Sequence, residues 1–95
     1  MPNFEFDPEK SRRNEDKHGV DFEWAQQLWK EDHVILPAKE VAGEVRSMLL
    51  ARIKGSCYAA LFTKRGESIR LISCHRADQR LENLYEKNIQ TRKDS

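Results

Sequence analysis

The segment IRLISCHRADQR, residues 69–80, holds the densest group of side chains that could act on a phosphate. Arg70 lies between two aliphatic residues of a predicted strand, where a charge is costly unless its head group reaches water or an anion. A guanidinium group fits two phosphate oxygens at once, which favours a phosphate site. The alternative is an ion pair along the sheet with an acid such as Glu82. The residue types alone leave both interpretations open.

A histidine and a second arginine, His75 and Arg76, follow at the end of this strand. Histidine readily moves a proton near neutral pH, and arginines stabilise the negative charge that develops during phosphoryl transfer. Tyr85 is expected on the apolar face of the last helix, packed in the core with its hydroxyl outward. A histidine at a strand end is also an ordinary surface residue, so this group alone does not establish an enzyme.

The charges of this 95-residue chain, a length that predicts one domain, are distributed unevenly. Residues 1–44 carry 6 Lys/Arg against 11 Asp/Glu, whereas residues 45–80 carry 8 Lys/Arg against 2 Asp/Glu. A basic centre behind an acidic front favours a polyanionic ligand such as nucleic acid. Short domains also show such differences without any ligand, so the charge pattern supports the phosphate interpretation without deciding it.

Several classes of protein and site are disfavoured. The chain has no apolar run near the roughly 20 residues that cross a bilayer, and MPNFEFDPEK does not resemble a signal peptide, so we expect a cytoplasmic protein without membrane contact. Cys57 and Cys74 are too few for a disulfide scaffold. With no CxxC and no HxxxH spacing, we predict neither a metal site nor a cofactor.

The pattern of elements predicts an α+β fold, in which N-terminal helices pack on an antiparallel sheet and a C-terminal helix closes the domain. NFEF predicts a short edge strand, and a helix follows between an Asp7 N-cap and Gly19. Asp21 begins a second helix, whose tryptophans at helical spacing favour core packing over base stacking. HVILPAKEVAGE is interrupted by Pro37, which predicts at best an edge strand followed by a loop. Three strands joined by short turns then predict a meander, and ADQRLENLYEKNIQ predicts the closing helix.

The last two strands allow a prediction of register. A turn centred on residues 65–66 would place Leu61 opposite Arg70 and Cys57 opposite Cys74. One face would then be apolar and lie under the helices, and the other would be mixed. The apolar face would carry Ala60, Phe62, Ile69 and Leu71, and the mixed face Leu61, Thr63, Arg70 and Ile72. A one-residue bulge would exchange these faces. We expect both cysteines to be reduced.

Four blocks of the sequence resemble the BrnT family of toxins from bacterial type II toxin–antitoxin systems. The blocks are FEFDPEKSRRNEDKHGVDFEWA, TKRG, IRLISCHRA and LYE. The resemblance implies a single RelE-like domain over residues 1–90, followed by a frayed tail at 91–95. It further implies a metal-independent endoribonuclease that inhibits translation. A BrnA-like antitoxin would silence it, two toxin–antitoxin heterodimers could assemble, and operator DNA would be bound only through that complex.

The resemblance also implies site residues. Matches to the family pattern are found at Thr63, Arg65, Arg70, Ser73, Arg76 and Tyr85. The candidate catalytic residues are Arg70, His75, Arg76 and Tyr85, and the candidate RNA-binding residues are Arg46, Lys64, Arg65, Ser73 and Arg80. His75 stands where the family commonly has arginine, and Leu81 where it has glutamate. His75 is therefore either a catalytic base or the mark of a weakened enzyme, and a binding module that docks an antitoxin or a DNA-binding partner is the alternative function.

Overall fold

The computed structural model describes residues 2–94, with side chains through residue 92, so Met1 and Ser95 lie outside the described residues. The elements in chain order are β1 (Asn3–Glu5), α1 (Pro8–His18), α2 (Phe22–Ala25), a 3₁₀ segment (Gln26–Lys30), β2 (His33–Pro37), β3 (Arg46–Ile53), β4 (Ser56–Arg65), β5 (Ser68–Arg76) and α3 (Gln79–Asp94). The predicted α+β class is confirmed. The closing helix continues past residue 90 into the predicted tail. None of the described helices has the length and apolarity needed to cross a membrane.

The N-terminal helix has the boundaries that its capping residues predict. The Asp7 carboxylate accepts a hydrogen bond from the backbone N–H of Glu9 at 2.9 Å, which satisfies one of the free donors of the first turn. Gly19 closes the helix at φ 82°, where a residue without Cβ avoids strain. Asp21 caps α2 through the N–H of Trp24 at 2.8 Å. The predicted second helix is therefore confirmed at its start, but it turns into the 3₁₀ segment after Ala25.

The sheet has five strands in the order β1-β5-β4-β3-β2. β1 runs parallel to β5, whereas the other pairs are antiparallel. The prediction of a purely antiparallel sheet is therefore wrong. A parallel pair needs a long crossover connection, and here α1 and the rest of the chain up to β5 provide it. β2 forms the opposite edge, as its Pro37 predicts.

The sheet is covered on both faces. Its front face packs against α2 and the 3₁₀ segment, and the core there consists of Phe22, Ala25, Leu28, Leu49, Ala51, Ala60, Phe62, Ile69, Leu71 and Cys74. Its back face packs against α3 through Val34, Leu50, Cys57, Ala59, Leu81, Tyr85 and Ile89. Trp24 and Trp29 contact Tyr58 and Phe62 edge-on, with centroids 4.6 and 5.3 Å apart. The interpretation of the tryptophans as core residues is confirmed.

The hairpin between β4 and β5 turns one residue later than predicted. Arg65 pairs with Ser68 and Thr63 with Arg70, so Gly66 and Glu67 form the turn, with Gly66 at φ 59°. The predicted pairs, including Leu61 with Arg70, are wrong. Between the turn and Phe62 each partner is displaced by two residues, and a displacement of two keeps every side chain on its own face. The predicted apolar face with Ala60, Phe62, Ile69 and Leu71 is therefore confirmed.

A β-bulge in β5 changes the faces of the residues that follow it. Phe62 pairs with Leu71 but Leu61 pairs with Ser73, which leaves Ile72 as the extra residue. Bulges re-aim side chains in this way. Cys74 consequently joins the front core. His75 lies opposite Ala59, which belongs to the back core, so His75 and Ser73 share the back face with Arg70.

The two cysteines lie on opposite faces of the sheet. Cys74 pairs with Ala60, and Cys57 pairs with Arg52 of β3. The predicted pairing of Cys57 with Cys74 is wrong, because the turn and the bulge each change the register. Both cysteines are free, as predicted, and both are buried.

Candidate active site

The back face of the sheet is only partly covered. α3 packs over β2 and β3, and the back-face side chains of β4 and β5 beyond it remain partly exposed. This open back face consists of Leu61, Arg70, Ile72, Ser73 and His75. Three of the predicted site residues, Arg70, Ser73 and His75, are therefore brought to one surface by the bulge.

A row of polar side chains crosses four strands at one end of this surface. Arg70 lies opposite Glu5 of β1 and opposite Thr63 of β4, and Thr63 lies opposite Arg46 of β3. Neighbouring strands are about 4.8 Å apart, so the two arginines flank the threonine at close range. Thr63 is buried and donates its hydroxyl hydrogen to the carbonyl of Val45 at 2.7 Å. We call Glu5, Arg70, Thr63 and Arg46 the polar row.

The arginines at this end are paired with carboxylates. Arg70 Nη1 donates to Glu5 Oε2 at 3.1 Å, with the two side chains 29% and 40% exposed. Arg46 Nε donates to Glu44 Oε1 at 3.0 Å, and Arg65 Nη2 lies 3.6 Å from Glu44 Oε2. The hydrogen bond from Arg46 lowers the pKa of Glu44. A phosphate that binds these arginines must therefore compete with carboxylates already in place.

The acid that the sequence suggested as a partner for Arg70 pairs elsewhere, and a cleft lies beside the polar row. Glu82, the partner considered for Arg70 from the sequence, pairs with Arg52 at 3.1 Å instead. A cleft of about 460 Å³ lies beside the row, lined by Glu44, Val45, Thr63, Lys64 and Arg65 among others. The structure thus brings the predicted RNA-binding residues Lys64 and Arg65 next to Arg46, at the tip of the hairpin.

The edge of β5 is occupied by a side chain where β1 no longer reaches it. β1 pairs with β5 only as far as Arg70. Beyond it, Asn14 Nδ2 donates to the carbonyl of Cys74 at 2.7 Å, and the N–H of Cys74 donates to Asn14 Oδ1 at 3.1 Å. Nδ2 also donates to the carbonyl of Val20 at 2.7 Å. The buried amide of Asn14 thus substitutes for a strand and fixes α1 along the edge of β5.

A basic groove of about 280 Å³ lies between α1 and the bulge. Its lining includes Lys10, Arg13, Lys17 and His18 from α1, and Ile72 and Ser73 from β5. Among the described residues, no ion pair involves Lys10, Arg13 or Lys17. Arg12, the neighbour of Arg13, pairs with Glu9 and is not part of the lining. Among the described residues, these three cations of the α1–β5 groove therefore have no carboxylate as an ion-pair partner.

Two histidines meet beside this groove. The ring centroids of His18 and His75 are 5.5 Å apart, with the planes tilted by 43°. Burial lowers the pKa of His18, and the charges of His75 and Lys17 lower it further. His75 Nδ1 lies 2.8 Å from the carbonyl oxygen of Arg76. Because a carbonyl only accepts, Nδ1 carries the hydrogen and Nε2 is the nitrogen left to exchange a proton.

The structure does not bring the other predicted catalytic residues to Arg70. Arg76 lies opposite Tyr58, a front-face residue, and donates to the hydroxyl of Ser56 at 3.2 Å. It is six residues from Arg70, about 20 Å along the strand. Arg80 is exposed in the first turn of α3.

Tyr85 is also remote from Arg70 and is only 7% exposed. Its hydroxyl donates to the carbonyl of Asp32 at 3.4 Å, and burial raises its pKa. It belongs to α3 and packs into the back core, and α3 lies over β2 and β3, whereas Arg70 lies on β5. The structure thus places Tyr85 in the core, away from the open back face.

Several residues of this region are not among those selected from the sequence. Glu5 and Glu44 were missed because their pairing depends on contacts between strands. Lys10, Arg13 and Lys17 carry a signal in the sequence, since positions i, i+3 and i+7 share one helix face. The net negative charge of residues 1–44 as a whole drew attention away from this basic helix face. Within the described part of the chain, no group of three or more His, Cys, Asp or Glu side chains could hold a metal ion.

Comparison with known proteins identifies the family. The model of a family described as the ribonuclease toxin BrnT of type II toxin–antitoxin systems matches residues 6–80. The comparison with curated proteins found no match. The matched span contains the groove, the bulge and the hairpin, and a type II system implies an antitoxin partner. The chain therefore belongs to the BrnT family of ribonuclease toxins.

Proposed function

We propose that this protein is a metal-independent endoribonuclease that cleaves cytoplasmic RNA and thereby inhibits translation. The observation that carries the proposal is the open back face, where Arg70, Ser73 and His75 lie on one partly exposed surface. A surface that combines phosphate-binding arginines with a proton-transfer group has what RNA cleavage without a metal requires. Membership of a ribonuclease toxin family supports the same chemistry.

In this reaction the 2′-hydroxyl of the RNA attacks the adjacent phosphorus and the bond to the 5′-oxygen breaks. The products are a 2′,3′-cyclic phosphate and a free 5′-hydroxyl. His75 transfers a proton, and Arg70, Arg46 and Arg65 hold the RNA backbone. Arg70 and His75 are roughly 16 Å apart along β5, so they act on different phosphates of one strand. Arg70 is therefore a binding residue in this proposal, and Arg76 has no contact with the phosphate held by Arg70.

Cleavage of end-labelled RNA by the purified protein, freed of antitoxin and in excess EDTA, tests the proposal. Arg70→Ala should lower kcat/KM by about 10- to 100-fold, as expected for one charge-assisted hydrogen bond. His75→Gln should lower kcat by about 10²- to 10⁴-fold. His33→Gln is the matched control, because His33 lies on the distant strand β2 and its ring contacts the carbonyl of Glu31.

The products decide the chemistry. A 2′-deoxy nucleotide at the cleavage position should block cutting, and the 5′ fragment should end in a cyclic phosphate. A wild-type protein that leaves RNA intact in EDTA would overturn the proposal. If such a protein still bound an antitoxin, the catalytically weakened docking module would be the correct function.

The partner we propose is a BrnA-like antitoxin, with two toxin–antitoxin heterodimers in the complex, and operator DNA bound only through the antitoxin. A RelE-like arrangement is proposed for the fold. Family membership supports a protein antitoxin. Expression of the chain alone should arrest growth, and co-expression of the antitoxin should restore it. Size-exclusion chromatography with light scattering of the co-expressed complex then measures the stoichiometry.

A further inference from the structure

The cations of the α1–β5 groove and those of the polar row differ in whether they are paired with carboxylates. Arg70, Arg46 and Arg65 each have a carboxylate partner. Within the described chain, Lys10, Arg13 and Lys17 have none. An anion entering the groove gains three cations without displacing an acid, and Ser73 also lines this space. The groove is thus the better place for a phosphate whose charge increases during a reaction.

Cleavage by the 2′-hydroxyl needs two proton-transfer groups. The attacking 2′-oxygen and the departing 5′-oxygen lie on opposite sides of the phosphorus in an in-line displacement, so one imidazole cannot serve both at once. His18 and His75, with ring centroids 5.5 Å apart beside the groove, are the two imidazoles that the structure brings together. His33 is on β2 and does not take part.

The surroundings of the two rings give them different roles. His18 faces Lys17 on its own helix and His75 on β5, and both charges oppose its protonation in addition to burial. Arg13 and Lys10 add positive charge along the same groove. His18 therefore tends to be neutral, as a base must be. The carbonyl of Arg76 accepts from Nδ1 of His75, so Nε2 is the nitrogen of this ring that can give a proton to the leaving oxygen.

We propose that the α1–β5 groove binds the scissile phosphate, with His18 as the general base and His75 as the general acid. His18 removes the proton of the 2′-hydroxyl, and the 2′-oxygen forms its bond to phosphorus. The bond from phosphorus to the 5′-oxygen then breaks, and that oxygen takes the proton of His75. Lys17 and Arg13 stabilise the additional negative charge on the phosphoryl oxygens. This assignment rests on the proposed ribonuclease function.

Two RNA substrates distinguish a base from an acid. In the first, all atoms are natural; in the second, sulfur replaces the 5′-oxygen at the cleavage position. A thiolate departs without a proton far more readily than an alkoxide, because thiols are much stronger acids than alcohols. His75→Gln should cut the natural RNA at least about 100-fold more slowly, and it should cut the sulfur-containing RNA at close to the wild-type rate. His18→Gln should be at least about 100-fold slower on both substrates.

The pH dependence gives a readout that a structural role would not move. The wild-type profile of kcat/KM should be bell-shaped. The profile of His18→Gln should lack the rise of kcat/KM on the acidic side. The profile of His75→Gln should lack the fall of kcat/KM on the alkaline side. His18→Gln with wild-type rates on both substrates would overturn the assignment, as would a variant that is slow but keeps the wild-type pH profile. His33→Gln and the melting temperature of each variant control for folding.

The outcomes separate this inference from the function on which it rests. If the wild type leaves no cyclic phosphate in EDTA, the ribonuclease proposal itself fails. If the wild type produces the cyclic phosphate in EDTA and His18→Gln cleaves RNA at the wild-type rate, the ribonuclease proposal stands and only the role of His18 fails.

Adjacent arginines test the groove as the phosphate site. Arg13→Ala should weaken binding of an uncleavable 2′-deoxy oligonucleotide, and the slope of log affinity against log salt should fall by about 0.7, the value for one lost phosphate contact on a single strand. Arg12→Ala removes the same charge from a position that pairs with Glu9 and should leave the slope unchanged. Equal slopes for both variants and the wild type would show that the phosphate does not bind in the groove.

Discussion

Asn14 and Cys74 are hydrogen bonded to each other as two neighbouring strands would be, although Asn14 belongs to a helix. The side-chain amide donates at 2.7 Å and accepts at 3.1 Å, and both residues are buried. The contact joins residues that are 60 positions apart. It also sets the distance between the cations of α1 and the bulge of β5, on which the groove depends.

The first prediction concerns this contact. Asn14→Ala leaves the buried N–H and C=O of Cys74 without partners, and each orphaned group costs about 1–3 kcal/mol. We expect the free energy of unfolding to fall by about 2–6 kcal/mol in urea titrations. Asn83→Ala, at an exposed position of α3, should change it by less than about 0.5 kcal/mol. Equal stability of the two variants would mean that the amide is not needed at this edge.

The second prediction concerns the carboxylate that holds two arginines. Glu44→Gln removes the charge that pairs with Arg46 and Arg65. Because exposed ion pairs contribute about 0.2–1 kcal/mol, RNA affinity should rise by up to about fivefold. Filter binding at low salt measures it. Glu67→Gln removes one charge from the hairpin turn, where Glu67 has no ion pair among the described residues. An equal gain from Glu67→Gln would attribute the effect to net charge alone.

The third prediction follows from the buried thiol of Cys74, whose pKa burial raises to about 12. In the unfolded chain the thiol has its usual pKa of about 8.5. Between about pH 8.5 and 12 the folded state therefore holds one proton more than the unfolded state. This stabilisation is complete below about pH 8.5 and is lost as the pH rises towards 12. The free energy of unfolding should fall by about 1.4 kcal/mol per pH unit more steeply in the wild type than in Cys74→Ala. Parallel curves would contradict it.

The fourth prediction separates Tyr85 from the chemistry. Its hydroxyl contacts the carbonyl of Asp32, and its ring lies under the guanidinium of Arg52 at 5.5 Å. Tyr85→Phe should therefore keep the RNA cleavage rate within about twofold and lower the free energy of unfolding by about 0.5–1.5 kcal/mol. A loss of cleavage of more than tenfold at unchanged stability would return Tyr85 to the list of proton donors.

Local signals in the sequence were sufficient for much of the fold. The helix-capping contacts of Asp7, Gly19 and Asp21 involve only residues close in sequence. The helix boundaries that these residues predict are therefore found in the structure. Pro37 acts equally locally at its sheet edge. The apolar faces of β4 and β5 were also predictable, because a register error of two residues leaves alternation intact.

The candidate site was less predictable because it depends on contacts between distant segments. The bulge at Ile72 has no local signature, yet it moves Ser73 and His75 onto the face of Arg70. β1 consists of three residues, too few to reveal that it runs parallel to β5. Arg70 was correctly recognised as a residue that needs an anion or an acid, but Glu5 lies 65 positions away.

The bond between Asn14 and Cys74 also has a consequence for the chain during its synthesis. A ribosome delivers the cations of α1 first and the bulge of β5 only after some 60 further residues, and contacts of such sequence separation form late in folding. A nascent chain that lacks β5 therefore carries half of the groove and lacks His75. The proposed nuclease would therefore become active only after β5 has been synthesised and has paired with Asn14.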